Sequence, residues 1–387
     1  MPFARTGTEE DLRQFIISRI REEGPASFAQ FMAWCLYHPA YGYYTLGEVK
    51  IGREGDYYTS ACVNPLFGGM IARQLCQMSA ILGGETFTVL EMGAGRGLLC
   101  EDILTWAKKN APEFYNRLIY CIVEPAPHFS REQQERLSGE AEKKKVFWLS
   151  PEIIAGGEFF LEGCVLSNEL IDAFPVHRVI CDGGELKEIH VGEEEGRFVE
   201  VREKPSDSRI GAYFADMGIA LSEGQKAEAN LQALKWLEDV DRCLRRGFIL
   251  TIDYGCRAEE LYDSCRRDGT LRCYFHHRVS GSPYERVGRQ DMTAHVNFTS
   301  LIRKGEELGT RFTGLVPQYR FLIALGLLEE IAAAQKELSA VEALKLRLSL
   351  KHLIEPERGM GEIFKVLIQH KGIEKPELAG LKALRTL

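Results

Sequence analysis

No Cys-x-x-Cys pair occurs in this chain of 387 residues, although it holds 11 cysteines. Zinc sites and disulfide frameworks need clustered thiols, so neither a metal centre nor a disulfide scaffold is expected. Cys121 and Cys164 fall inside apolar runs, where a thiol acts as a small buried hydrophobe. Such usage points to a reducing, cytoplasmic setting. A basic excess is also missing. The 48 Lys and Arg stand against 56 Asp and Glu, a net charge of −8, which speaks against a nucleic-acid binder. No apolar run is long enough to span a membrane, so no membrane insertion is expected. The opening MPFARTGTEEDLR lacks a signal-peptide core, and its early acids do not suit a transit peptide. Repeats and long low-complexity tracts are absent.

The length suits about two domains, or one large domain with insertions. Residues 9–36 carry apolar side chains at helical spacing around Gly24-Pro25, and a loop-rich aromatic stretch follows. A helix is expected from about Leu66 to Leu82. From Thr86 the pattern alternates. Apolar runs at Phe87–Met92, Leu118–Val123, Val146–Leu149, Cys164–Ser167 and Phe248–Ile252 are separated by helical segments, notably Gln225–Leu244. That alternation predicts a parallel sheet covered on both faces. Val176–Pro205 reads as a β-hairpin insertion turning at Gly183-Gly184, and a second insertion runs from Asp253 to about Gly288. Helices are expected at Phe298–Leu308, Phe321–Gln335 and Val341–Leu353, and a last strand at Ile363–Gln369.

The segment Thr88-Val-Leu-Glu91-Met-Gly93-Ala-Gly95-Arg-Gly97 sets an acid and three glycines between an apolar strand and a helix. Close glycines let the backbone turn sharply and let a ligand approach main-chain atoms. A dinucleotide fingerprint needs its third glycine at position 98, where Leu98 stands, and no Gly-Lys-Ser or Gly-Lys-Thr follows, which excludes a P-loop. An acid at the end of the next strand, Glu124, is placed to accept from two ribose hydroxyls. The plain alternatives are a glycine-rich turn without ligand and a solvated strand-end charge.

A second polar cluster, Asn168-Glu169-Leu-Ile-Asp172, closes the apolar run Cys164–Ser167. Ligand crevices in open α/β sheets lie beyond the carboxyl ends of the strands. Paired carboxylates suit a guanidinium acceptor: they can hold its planar fork, concentrate charge on the other nitrogens and take a proton during attack. Helix capping by Asn168, with the acids in a first turn, explains the composition equally well.

Several blocks together resemble the MidA-like family, whose mitochondrial members are arginine methyltransferases that assist complex I assembly. They include His38-Pro39 with Tyr41-Gly42-Tyr43-Tyr44, Ile51-Gly52-Arg53 with Gly55-Asp56-Tyr57 and Thr59-Ser60, and Glu91 with Gly93, Gly95 and Gly97. Glu124-Pro125, Asn168-Glu169-Leu170 with Asp172-Ala173, Ile252-Asp253-Tyr254-Gly255, Asp291-Met292-Thr293-Ala294-His295, and Gln318 continue the match in order. The resemblance implies an α/β class I methyltransferase: a Rossmann-like, mostly parallel seven-stranded sheet with an N-terminal helical region and β and loop insertions. It implies S-adenosylmethionine as donor and a protein arginine as acceptor, with a respiratory-complex subunit as the candidate partner and a homodimer as one assembly. Small-molecule methylation and a non-enzymatic assembly role are the alternatives. The implied division is residues 1–84, helical and aromatic, and 85–387, the donor-binding core, with insertions near 176–224 and 256–297 forming the substrate pocket. Carried over by position, Glu91, Gly93, Gly95, Gly97 and Glu124 contact the donor. Asp56, Thr59, Ser60 and Asn168 lie near it, and Asn168, Glu169 and Asp172 serve catalysis. Two acids usual in the family are missing, since Cys62 and Asn297 stand in their places.

His295 reads as a base, a substrate ligand or a buried structural histidine. The tyrosines at 41, 43, 44, 57 and 58 read equally as a stacking wall or as core. The stretch Ile331–Leu353 reads as core or dimer contact.

Overall fold

The computed structural model describes residues 8–47, 60, 64–276, 278–280, 282–336, 338–355 and 361–383. The chain divides into two compact units, each assembled from three separate stretches. The first comprises Met1–Tyr57, Ile171–Trp236 and Gly255–Leu301, and the second Tyr58–Leu170, Leu237–Tyr254 and Ile302–Leu387.

The second unit is built on seven strands: β1 (Phe87–Met92), β2 (Leu118–Val123), β3 (Val146–Leu149), β4 (Leu161–Asn168), β5 (Leu244–Cys256), β6 (Arg311–Pro317) and β7 (Phe364–Lys371). Their order is β3-β2-β1-β4-β5-β7-β6. Neighbours from β3 to β5 run parallel, whereas β7 is antiparallel to both β5 and β6. This is the doubly wound, mostly parallel sheet that the alternating pattern predicts, and its order reverses between β1 and β4. Helices α1 (Pro65–Leu82) and α2 (Leu98–Asn110) cover one face. Asn64 caps α1 by accepting from the Leu66 amide, and Pro65 occupies the first turn, where no amide proton is needed. On α2, Leu99, Cys100, Ile103, Leu104 and Ala107 form a buried stripe at helical spacing, joined in one core by Phe87, Val89, Tyr120 and Phe248. Burying each large apolar side chain contributes roughly 1.5–3 kcal/mol.

In the first unit, helices Glu9–Glu23 and Phe28–Tyr37 pack Leu12, Ile16, Phe28, Phe31 and Met32 into a core with Val191, Cys273 and Met292. Thr8 and Asp11 form a capping box on the first helix. The insertion read as a hairpin has three strands, His177–Asp182, Glu185–Glu194 and Arg197–Glu203, because Glu195 and Gly196 supply a second turn with positive φ. The predicted helix Gln225–Leu244 begins late. Lys226–Ala229 pairs with His177–Ile180 as a strand, and the Asn230 side chain then caps the helix Leu231–Cys243 through the Ala233 amide at 2.9 Å. A small sheet of Arg272–Phe275, Arg278–Ser280 and Asp291–Thr293 completes the unit.

Candidate active site

In the second unit, β1 ends at Met92 and the chain turns through three glycines with positive φ: Gly93 (+73°), Gly95 (+53°) and Gly97 (+76°). Side chains are excluded by space as well as by conformation. A Cβ on Gly93 would stand 2.7 Å from Leu170 Cδ1, and one on Gly97 3.0 Å from Gln133 Cγ. Gly97 is also the N-cap of α2 and offers no side-chain cap, so the helix opens onto the loop with its first amides uncapped by a side chain.

The loop is fastened by Glu124, which follows β2. Its carboxylate accepts from the Gly95 amide at 2.9 Å and from the Ala126 amide at 3.0 Å. Burial pushes this carboxyl up to about 7, against the pull of those two bonds. A carboxylate offers about four lone-pair sites, so two hydroxyl donors can still be accepted. Glu91 is placed differently. Its side chain is buried on the face of β1 that carries Phe87 and Val89, and it accepts from Tyr120 Oη at 2.8 Å. Burial raises its carboxyl to about 7 too, opposed by the Tyr120 bond and reinforced by the charge of Glu124.

Gln133, which the sequence reading missed, ties this loop to β3. Its Nε2 donates to the Gly95 carbonyl at 2.6 Å, and its Oε1 accepts from Trp148 Nε1 at 3.0 Å. It lies on the helix Pro127–Arg136, fully buried. Arg136 of the same helix donates to the Arg96 carbonyl at 3.1 Å.

Beyond β4 lies the polar cluster. No helix begins there: residues 169–176 form a bend and a turn closed by the Phe174 amide on the Ile171 carbonyl. Pro175 and the left-handed Glu169 (φ +54°) both oppose helix continuation, so the capping explanation fails. The Glu169 amide donates to the Ile252 carbonyl of β5. Its Oε1 accepts from the Ser60 amide at 2.6 Å and from Asn168 Nδ2 at 3.2 Å. Ser60 is buried and donates through Oγ to Gln318 Oε1 at 3.3 Å. Asn168 Oδ1 is buried and finds no hydrogen-bond partner among the described residues. Asp56, Thr59 and Cys62 lie outside the described residues.

The remaining candidates belong to the first unit. Asp172 is 6 % exposed, and its carbonyl accepts from the Ala294 amide at 2.9 Å. Burial pushes the His295 imidazole down to about 4, helped by the nearby charges of Arg266 and Arg272. Tyr43 is core, and Tyr44 donates to Asp291 Oδ1 at 2.8 Å. Asn297 is structural. Its Oδ1 takes the Ser300 amide at the start of Phe298–Leu308, and its Nδ2 lies 3.0 Å from the Tyr213 hydroxyl. The missing acid at that position therefore removes nothing from an open pocket. Among the described residues no group of three or more His, Cys, Asp or Glu is arranged to hold a metal.

A family model described as "Putative S-adenosyl-L-methionine-dependent methyltransferase" matches residues 70–316. The chain belongs to this family. A superfamily relative from Burkholderia thailandensis, crystallised with S-adenosyl-homocysteine, matches with a TM-score of 0.86 at 31% identity, over 98% of this chain and 96% of that one. The mitochondrial protein arginine methyltransferase NDUFAF7 homologue of Drosophila melanogaster is 27% identical over 92% of this chain and 84% of its own length. Its human counterpart is 24% identical over 81% and 72%. The chain is thus an α/β S-adenosylmethionine-dependent methyltransferase, and S-adenosylmethionine is its methyl donor. The residues of the second unit fit that donor. Side chains are barred at Gly93 and Gly97, the Glu124 carboxylate has lone pairs left for two hydroxyls, and Asn168 Oδ1, unpartnered among the described residues, is an acceptor of the kind an ammonium group needs. The cytoplasmic expectation is withdrawn, because these curated relatives are mitochondrial proteins. Scattered free thiols report a reducing compartment, and that criterion does not separate one such compartment from another.

Proposed function

We propose that this methyltransferase transfers a methyl group to a guanidino nitrogen of an arginine side chain in a protein. The observation that supports it most is Glu169, an acidic residue in the left-handed region at the carboxyl end of the central strand β4. A non-glycine residue held there costs roughly 1–3 kcal/mol, and such strain persists where a side chain must be aimed. Here the Ser60 amide and Asn168 hold the carboxylate that the strained backbone presents.

Arginine is protonated in water, with a pKa above ~12, so its nitrogens are weak nucleophiles until charge is drawn to one side of the fork. Glu169 is the group that draws it, accepting N–H bonds and then the proton released as the C–N bond forms. Asp172 is assigned to hold the planar fork. When bound, S-adenosylmethionine supplies an electrophilic methyl group on its sulfonium. Asn168 orients the Glu169 carboxylate, and Glu124 fixes the glycine loop on the donor side.

The insertions near 176–224 and 256–297 supply the acceptor pocket. A protein as acceptor is supported by the relatives, which are named protein arginine methyltransferases. A respiratory-complex subunit is the first candidate, and a homodimer the assembly to test by light scattering.

Glu169→Gln keeps size and hydrogen bonding but removes the charge. Turnover should fall by roughly 10²–10⁴ while calorimetric affinity for S-adenosylmethionine stays nearly unchanged. Turnover equal to the wild type's, or a methyl group found by mass spectrometry on any residue but arginine, would sink the assignment.

A further inference from the structure

The segment Asp291-Met292-Thr293 has no role in the chemistry so far. It is a strand of the small sheet in the first unit, antiparallel to Arg272–Phe275, with Tyr274 opposite Asp291 and Arg272 opposite Thr293. Directly opposed residues share a face. Arg272, Tyr274, Asp291 and Thr293 therefore line one side, with Arg272 exposed and donating to the Leu271 carbonyl at 2.9 Å, while Cys273 and Met292 turn into the apolar core.

That side is unusually polar for its depth. Asp291 is 3 % exposed and accepts from the Tyr44 hydroxyl at 2.8 Å. The Tyr44 ring stacks on Tyr37 with centroids 5.5 Å apart, and the Tyr37 hydroxyl donates to the Ala173 carbonyl at 2.9 Å, one residue after Asp172. The strand's continuation reaches the same place, through the Ala294 amide on the Asp172 carbonyl. Burial raises the Tyr274 phenol above its ordinary value, Asp291 opposite it and Asp172 raise it further, and Arg272 pulls it back. Thr293 Oγ1 is buried and has no hydrogen-bond partner among the described residues. An orphan hydroxyl of this kind costs stability unless a ligand satisfies it.

We propose that Asp291, with Asp172 and the rings of Tyr44 and Tyr274, is the wall that recognises the acceptor's guanidinium, and that Thr293 Oγ1 takes one of its N–H groups. Guanidinium combines five donors in a plane, a fixed charge and a readiness to lie on aromatic faces, which are the features these residues complement. The inference rests on the arginine reading above and names residues of the acceptor side that it leaves open.

The test is a titration of the full chain, saturated with S-adenosyl-homocysteine, with a blocked Gly-Arg-Gly peptide and with its citrulline counterpart, which keeps the shape and loses the charge. The wild type should prefer the arginine peptide by roughly tenfold or more. Asp291→Asn should bring that ratio close to one while S-adenosyl-homocysteine affinity holds. A folding defect does not change a ratio in this way. Thr293→Val guards against loss of fold, since it deletes only an unpartnered hydroxyl. It should leave the melting temperature unchanged or raise it, and weaken the arginine peptide severalfold. A wild type that prefers arginine, with variants that prefer it as strongly, overturns this wall and leaves the arginine reading standing. A wild type that does not distinguish the two peptides overturns the arginine reading and this inference with it.

Discussion

At Glu124 the proposed ribose role sets two demands on one carboxylate: it accepts hydroxyls best when ionised, and burial holds its proton on up to about pH 7. Hydroxyl donors favour the ionised form. Donor affinity should therefore rise with pH through the neutral range, roughly tenfold between pH 6 and pH 8, and binding at pH 6 should release a proton. Calorimetry in buffers of different ionisation enthalpy reads both, and Glu124→Gln should flatten the pH profile. Asn297 gives the opposite kind of expectation. An aspartate there can still take the Ser300 amide and accept from the Tyr213 and Tyr262 hydroxyls, which lie 3.0 and 3.3 Å from the present amide nitrogen. Asn297→Asp should leave turnover within about twofold, since the position contributes packing and capping rather than recognition. Glu124 and the three glycines were legible in the sequence because a strand, a turn and a helix at fixed spacing leave few alternatives. Gln133 was not, since a glutamine on a polar helix carries no mark of what it will meet.

Where β1, β4 and β5 run side by side, register fixes composition. Thr88, Gly163 and Gly247 lie opposite one another. Both glycines have positive φ, +154° and +144°, and a Cβ on Gly163 would stand 1.9 Å from the Thr88 carbonyl oxygen. Gly163→Ala must push central strands apart. A loss of roughly 1–3 kcal/mol or more is expected in urea denaturation. A second element-level expectation concerns the antiparallel strands of the first unit, where Glu188 is fully buried between His177 at 2.7 Å and His190 at 3.3 Å. Burial alone would raise the Glu188 carboxyl, but the His177 bond, the facing His190 imidazole and bonds from Ser206 hold it far below its ordinary value, and Glu188 in turn raises His190. The raised imidazole adds stability that is complete below its unfolded value of 6.5 and is lost as pH climbs through its folded value. Melting temperature should therefore decline as pH climbs above 6.5, and Glu188→Gln should remove that slope. The strands legible in sequence were the buried parallel ones, which read as continuous apolar runs. Arg311–Pro317 went unread because it alternates weakly and contains Gly314, and the helix predicted across Phe321–Gln335 is broken at Gly326, whose φ is +91°.

At the scale of the molecule, sequence order and spatial grouping part company. Residues 171–236 and 255–301, which contain the stretches 176–224 and 256–297 read as insertions into a core, group with the first 57 residues, while helix α1 groups with the sheet. Pattern reading follows the chain and has no access to pairings such as Ala26-Ser27 with His190-Val191, which span more than 160 positions. The same interleaving bears on how the molecule is made. The interior strand β5 is complete at Cys256, but its antiparallel neighbour β7 begins only at Phe364. At a synthesis rate of ~5–20 residues per second, Phe248-Ile-Leu-Thr-Ile252 waits on the ribosome with one open edge for about 5–20 s. An apolar edge exposed that long is a template for misplaced strands until the last strand of the sheet emerges to cover it.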